Sequence, residues 1–361
     1  MLGTRGIPAR YGGFETFAEE LSTRLAKRGH QVTVYCRERH SEPTFRGVSL
    51  VYLATWRHKY FDTLVHTFLS TIHLIFHRGS VGQASDVALY CNAANAIFTF
   101  WPRFAGIPTA LNVDGLERNR KKWNRLAKTW YLISERLATF CPSVVVSDAR
   151  KIAEYYLARY GKHSEFIPYG AETGKLESSG VLDQLGLEPG RYFLYVSRME
   201  PENNALAVRE AFEKLTTPMK LALIGDAPYA QEYIRRVRDT TDRRVLMPGA
   251  IYGRGYHELL SHCFAYIHAT EVGGTHPALI EAMGRGALVL YLNTPENAEV
   301  AGDAGIPFEA GELGAKLELA VKMPVAERAE WGRRAMERVA ERYSWDTVTD
   351  QYERLLLKLH T

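Results

Sequence analysis

Short apolar runs alternate with longer stretches of helical periodicity along most of the chain. Residues Gln31–Cys36, Val48–Leu53, Asp86–Cys91, Pro108–Val113, Ser143–Ser147 and Glu165–Ile167 are rich in Val, Ile and Tyr and read as strands. A second series, Tyr192–Ser197, Leu221–Ile224, Arg244–Met247, Ala265–His268 and Ala287–Tyr291, follows Pro168-Tyr169-Gly170, a candidate hinge. Strands that alternate with helices imply parallel sheets joined by right-handed crossovers. The pattern predicts two doubly wound α/β halves with a cleft between them, and shows no short-period repeat and no low-complexity tract.

Two helical stretches carry more than packing. From Tyr60 to Phe76, Phe61, Leu64, Val65, Phe68, Leu69, Ile72, Ile75 and Phe76 form a broad stripe flanked by His58, Lys59 and Arg78. Such a stripe serves either to pack on a sheet or to lie on a membrane surface. Downstream, Arg118, Lys121, Lys122 and Arg125 fall on one helical face and Trp123, Leu126, Ala127 and Trp130 on another. That basic face is either a solvated surface or a seat for an anionic acceptor or lipid headgroups.

Composition narrows the class. The chain has 361 residues, 46% hydrophobic and 24% charged, enough for two domains with full cores. A net charge of +4 favours anionic partners without the basic excess that nucleic-acid binding would need. The 4 cysteines are scattered and form no C-x-x-C pair, which suits a reducing cytoplasm and argues against structural zinc. His73 and His77 have the spacing of half a zinc site on a helix but lack a third ligand, so no metal is expected there. The chain shows neither a signal peptide nor a run of 18 or so apolar residues, the minimum for a membrane span, and a cytoplasmic location is expected.

The candidate chemistry clusters at strand ends. Val272-Gly273-Gly274-Thr275-His276-Pro277 reads as a glycine turn feeding a helix, with Thr275 or His276 at the cap and Pro277 at the first helical position. The positive end of that helix suits a phosphate, and Glu281, four residues after Pro277, could accept hydrogen bonds from a hydroxyl of the same ligand. Arg198 follows the Tyr192–Ser197 strand and could clamp a diphosphate bidentately or pair with Glu200 or Glu202. Gly225-Asp226 ends the next strand. Asp114 ends another and could accept a proton, bind sugar hydroxyls or cap a helix. At the start, Gly3, Gly6, Gly12 and Gly13 precede an amphipathic helix bearing Phe14, Phe17, Ala18, Leu21 and Leu25. Only Met1 and Leu2 precede Gly3, so the first strand is expected to be shortened.

The segments GTRGIPARYGGFETFAEEL, NVDGLER with its following KW, SRMEPENN, AYIHATEVGGTHPALIEAMGRG and YSWDTVTDQYERLLLKL together resemble the retaining nucleotide-sugar glycosyltransferases of family 4. Within that family the resemblance is to the bacterial rhamnosyltransferases of surface-polysaccharide assembly. It implies the GT-B fold, with an N-terminal Rossmann-like acceptor domain over residues 1–167, a nucleotide-sugar domain over 168–342, and a final helix over 343–361 that crosses back. It also implies catalytic roles for Asp114, Arg198 and Glu281. Gly12, Gly13, Asn203, Gly225, His268, Gly273, Gly274 and Thr275 would join Arg198 and Glu281 in binding the donor, without metal or other cofactor. Gly12 and Gly13 would close over the diphosphate, and the leaving phosphate would take the acceptor's proton, retaining anomeric configuration.

Two positions depart from the broader family. Gly273 stands where the first of two paired glutamates is usual, Glu271 lying two residues earlier, and Asn203 stands where a lysine is usual. Arg254 or His268 could compensate. The function expected is transfer of L-rhamnose from dTDP-rhamnose to a lipid-diphosphate-linked or oligosaccharide acceptor at the inner face of the plasma membrane. A nucleotide-sugar epimerase and a non-catalytic nucleotide-sugar-binding protein are the alternatives. A nicotinamide oxidoreductase is disfavoured because neither half opens with a clean G-x-G-x-x-G.

Overall fold

The computed structural model describes residues 1–9, 12–56, 58, 61–76, 85–120, 123–227 and 230–361. They divide into two α/β units. The first comprises Met1–Asn119, Trp123–Tyr169 and Trp345–Thr361; the second is Gly170–Ser344, with Arg120 grouped to it.

The first unit runs α1 (Gly13–Lys27), β1 (Thr33–Cys36), β2 (Thr44–Phe45), β3 (Val48–Tyr52), α2 (Asp62–Phe76), β4 (Ala88–Cys91), α3 (Phe100–Phe104), β5 (Thr109–Asn112), α4 (Arg125–Ala138), β6 (Val144–Ser147), α5 (Arg150–Tyr160) and β7 (Glu165–Phe166). The strands pair in the orders β2-β3-β1 and β4-β5-β6-β7, parallel except for the β2–β3 hairpin. Met1 and Leu2 join the two sets. The Met1 carbonyl accepts from Tyr35 N–H, while Leu2 donates to the Leu89 carbonyl and accepts from Cys91 N–H. A two-residue bridge thus fills the place of a central strand.

The second unit runs α6 (Gly180–Leu185), β8 (Tyr192–Val196), α7 (Ala205–Glu213), β9 (Lys220–Ile224), α8 (Gln231–Arg238), β10 (Val245–Gly249), α9 (Gly253–His262), β11 (Ala265–His268), α10 (Pro277–Gly284), β12 (Val289–Leu292), α11 (Pro295–Ala301), β13 (Ile306–Phe308), α12 (Leu313–Lys322) and α13 (Val325–Arg342). Its six strands are all parallel, in the order β10-β9-β8-β11-β12-β13. Phe193, Tyr195, Leu221, Leu223, Ile267, Leu288 and Leu290 are buried between sheet and helices, as expected for strands covered on both faces.

The last helix, α14 (Trp345–His360), belongs to the first unit. Its Tyr352 is fully buried against the ring of Phe17 and accepts a hydrogen bond from Asn112 Nδ2 at 2.9 Å. Arg28 and His30 hold Glu353 from outside.

The stripe on α2 sits differently from what sheet packing would require. The residues α2 buries are His66, Thr67, Ser70, Thr71 and Leu74, while Phe61 just before it and Phe68, Leu69 and Phe76 on it are exposed. Short side chains make this inversion tolerable. Ser70 and Thr71 return hydrogen bonds to the His66 and Thr67 carbonyls one turn back, so their hydroxyls enter the interior satisfied.

Candidate active site

The second unit has one topological switch point among its described strands. From β8 the chain proceeds outward through β9 and β10, then crosses to the other side of β8 to lay down β11, β12 and β13. Crossovers leaving in opposite directions open a crevice at the carboxyl ends of β8 and β11, where ligands of open α/β sheets bind. Arg198 lies just beyond β8 and His268 ends β11.

Around Arg198 the backbone is tightly fixed. Asn203 donates from Nδ2 to the Arg198 carbonyl at 2.7 Å and accepts at its own carbonyl from the Tyr195 hydroxyl. Gly225, after β9, has φ of +144° and passes so close to the Ser197 carbonyl that a Cβ would lie 1.8 Å from its oxygen. Only glycine fits there. The Arg198 guanidinium itself is loosely held, its Nε 4.0 Å from Glu200 Oε2 and its side chain one-third exposed. It therefore remains able to swing onto an anion.

Across the switch point, the 273–277 loop turns into α10. His276 rather than Thr275 is the N-cap residue; its side chain makes no capping bond, and Pro277 takes the first helical position. Gly274 and Thr275 are buried. Gly273 packs against the His276 ring, whose Cε1 would be 2.2 Å from a Cβ at 273. One turn into α10, Glu281 Oε2 accepts a hydrogen bond from the Tyr256 hydroxyl of α9 at 2.6 Å. Burial, then the neighbouring carboxylate, pushes the Tyr256 phenol well above its ordinary range, so it stays a donor and fixes Glu281.

His268 and His276 stack with ring centroids 4.8 Å apart. Desolvation lowers His268 to about 3. It also pushes His276 far down, reinforced by His268, Arg120 and Arg198. Both are neutral imidazoles at physiological pH. Each has a buried Nε2 without a hydrogen-bond partner.

Other expected residues are placed elsewhere. Glu271 accepts from Asn204 Nδ2 at 3.0 Å, with Asn204 in the left-handed region at φ 62°, so its carboxylate braces the turn after β8. Arg254 is exposed and engages Ser178 and Glu258. In the first unit, Gly12 is the extended N-cap residue of α1 and Gly13 its first residue. Asp114 lies two residues beyond β5 with φ of 57°, its N–H bonded to Asn112 Oδ1.

The basic helical face expected over 118–125 is corrected by the structure. Arg118 sits in a 3-10 turn (Glu117–Asn119), and α4 begins only at Arg125, where Asn124 caps it through Ala127 N–H. Arg118 is committed inward: its Nε donates to the buried carboxylate of Glu135 at 2.8 Å, and its Nη2 donates to the Tyr155 hydroxyl. An unpaired Glu135 would be costly to bury, which explains the attachment. Lys121 and Lys122 lie outside the described residues, as does His77; His73 bonds Tyr35 through Nδ1. Among the described residues no three His, Cys, Asp or Glu side chains form a metal-holding group.

Sequence reasoning missed two features. In the sequence His276 offers itself only as a cap, two residues after the Gly273-Gly274 pair. Glu202 is fully buried and neither carboxylate oxygen has a hydrogen-bond partner, a state no spacing rule signals.

Comparison with known proteins bears on the fold and on the two halves of the sequence. Residues 11–175 match the family model Glycosyltransferase Family 4, and residues 190–322 match Glycosyl transferases group 1. No curated protein matches the sequence. Among solved structures, Anabaena HepE in complex with UDP-glucose is 15% identical with a TM-score of 0.78, each chain covered to 98%. A sucrose-phosphate synthase from Thermosynechococcus elongatus is 16% identical with a TM-score of 0.79, covering 98% of this chain and 96% of that one. A glycosyltransferase from Rickettsia africae is 14% identical with a TM-score of 0.72, covering 98% and 97%. At such identity the likeness concerns the fold, which is GT-B. The two family models match consecutive stretches of the chain, so its likeness is to glycosyltransferases of the family 4 type carried on a GT-B fold.

Proposed function

We propose that the second unit binds a nucleotide-sugar donor at the β8–β11 switch point and that the enzyme transfers its sugar to a hydroxyl of an acceptor held mainly by the first unit. The observation that carries this reading is the gathering of Arg198, His268, the start of α10 and the Tyr256-braced Glu281 around one crevice. Arg198 and the amides of Gly273, Gly274 and Thr275 hold the diphosphate, supported by the positive end of α10. Glu281 accepts from the ribose hydroxyls, with Gly225 and Asn203 shaping the floor. The same cationic groups offset charge on the departing diphosphate, so no metal or cofactor is needed. Leaving-phosphate uptake of the acceptor's proton on the attacked face would retain the anomeric configuration.

L-rhamnose from dTDP-rhamnose is the donor we favour, because Gly273 and Asn203 leave the pocket short of a carboxylate and a cation and suit a 6-deoxy sugar. A lipid-diphosphate-linked saccharide of bacterial surface-polysaccharide assembly is the favoured acceptor. HepE, crystallised with UDP-glucose, supports the donor class, not the sugar. Calorimetric titration with dTDP-, UDP- and GDP-sugars in the presence of chelator tests the reading. A selective response to dTDP-rhamnose is expected; silence toward every donor would refute the site.

A lipid-linked acceptor requires contact with a membrane surface, since no described helix is long and apolar enough to cross one. The exposed side chains of α2 suit that contact, and the Phe68 ring meets Trp101 of α3 edge-on at 5.6 Å, extending the patch to Phe100 and Phe104. Phe76 and Phe104 are 74% and 78% exposed. Each such side chain gains roughly 1.5–3 kcal/mol on full burial. Phe68→Asp combined with Phe104→Asp should therefore lower binding to anionic vesicles at low salt at least tenfold in a flotation assay. Equal flotation of wild type and variant would remove this patch from the account.

A further inference from the structure

The diphosphate contacts leave the two histidines of the crevice without a task. We propose that His268 and His276 read the hydroxyls of the transferred sugar through their Nε2 edges, and so set which sugar the enzyme accepts. The proposal rests on the nucleotide-sugar reading of this site and deepens it.

Four observations carry it. Both Nε2 atoms are buried and have no hydrogen-bond partner, and the two rings lie 4.8 Å apart. His268, only 3% exposed, ends the strand at the switch point itself. His276 occupies the N-cap of the helix whose start faces the same crevice, and its side chain does no capping. Finally, the His276 ring fills the space that any side chain at position 273 would enter, so Gly273 is the residue that admits the imidazole. The space at 273, where the family resemblance implies a carboxylate, is thus taken by a neutral ring.

A buried polar atom left unpaired forfeits the hydrogen bond that water would give it, and here two are left on neighbouring rings. A ligand hydroxyl relieves both, because it donates as well as accepts and so satisfies either tautomer of each ring. An anion would not, since it needs an N–H on every edge that faces it. Burial keeps both rings uncharged through the physiological range, and Arg198 already supplies the positive charge that a phosphate wants.

Amide side chains distinguish the two ring edges: asparagine places its nitrogen near Nδ1, glutamine near Nε2. The full-length protein and His268→Asn, His268→Gln, His276→Asn and His276→Gln are titrated by calorimetry with the nucleoside diphosphate alone and with the nucleotide sugar that wild type selects. The readout is the ratio of the two dissociation constants. That ratio should fall about 10–100-fold in the asparagine variants, the effect of one lost hydrogen bond that strands a buried partner. It should stay within about threefold of wild type in the glutamine variants. Wild type that binds neither ligand would overturn the donor-site reading itself. Wild type that binds both, with the ratio unchanged in the asparagine variants or lost equally in the glutamine ones, would overturn the histidine proposal and leave the donor site standing.

Discussion

Arg198→Ala is expected to yield a folded protein whose transfer rate is about a hundred to a thousand times below wild type, the usual consequence of removing one preorganised donor from a site of developing negative charge. The fold should barely register the change. The guanidinium is one-third exposed, and its ionic contact to Glu200 is 4.0 Å long. What is lost is a fork that can meet two phosphate oxygens at once, and Arg198→Lys, which keeps the charge without the fork, should recover only part of the rate. Glu281→Ala should behave differently. It removes a ribose contact and also strands the buried Tyr256 hydroxyl, so binding and melting temperature fall together, by about 1–3 kcal/mol for the orphaned group. Arg254→Ala supplies the contrast, because that side chain engages only Ser178 and Glu258 at the surface in the contacts described. Steady-state kinetics with the selected donor, read beside thermal melts, separate these cases. Full activity in Arg198→Ala would sink the assignment.

Much of the scaffold is legible from hydrophobic rhythm because parallel strands are covered on both faces and must be continuously apolar. Val144–Ser147 and Ala265–His268 illustrate this, with burial along nearly their whole length. Thr44–Phe45 and Ile306–Phe308 escape notice because two or three residues cannot establish a period. Over 118–125 the periodicity misleads: helical spacing continues through Asn119 and Asn124, yet the Asn124 side chain captures the Ala127 N–H and starts α4 afresh. On α2 the period is right, and which face turns inward is not legible, since small hydroxyl residues satisfied by their own helix can be buried in place of the apolar stripe. The site divides similarly. Arg198, Glu281 and His268 are legible because strand ends and helix starts announce themselves in sequence. Glu202 and the ring contact between His268 and His276 depend on packing from separate segments, which spacing along one chain does not encode.

The same buried imidazoles make the protein acid-labile in a way that carboxylates would not. His66 in the first unit is fully buried, and desolvation, then the charge of Arg37, lowers it to about 4. His268 in the second unit is held at about 3 and His257 at about 4, both chiefly by desolvation. An unfolded chain protonates each of these near pH 6.5, whereas the folded units refuse the proton until the pH is far lower. Between those limits the unfolded state binds more protons, so stability is fully present above about pH 6.5 and drains away as the pH falls. Each fully shifted histidine drains about 1.4 kcal/mol per pH unit, so His66 and His268 together cost about 4 kcal/mol by pH 5. Because they sit in different units, both unfolding transitions should move. Urea melts at pH 7.5, 6 and 5 should show midpoints that fall with increasing steepness, and His66→Asn should flatten the dependence of the first unit alone. Midpoints that hold steady from pH 6.5 to 5 would mean that these rings accept protons in the folded state as readily as in water, and that the buried, uncharged imidazole of His268 on which the sugar-reading proposal draws is not there.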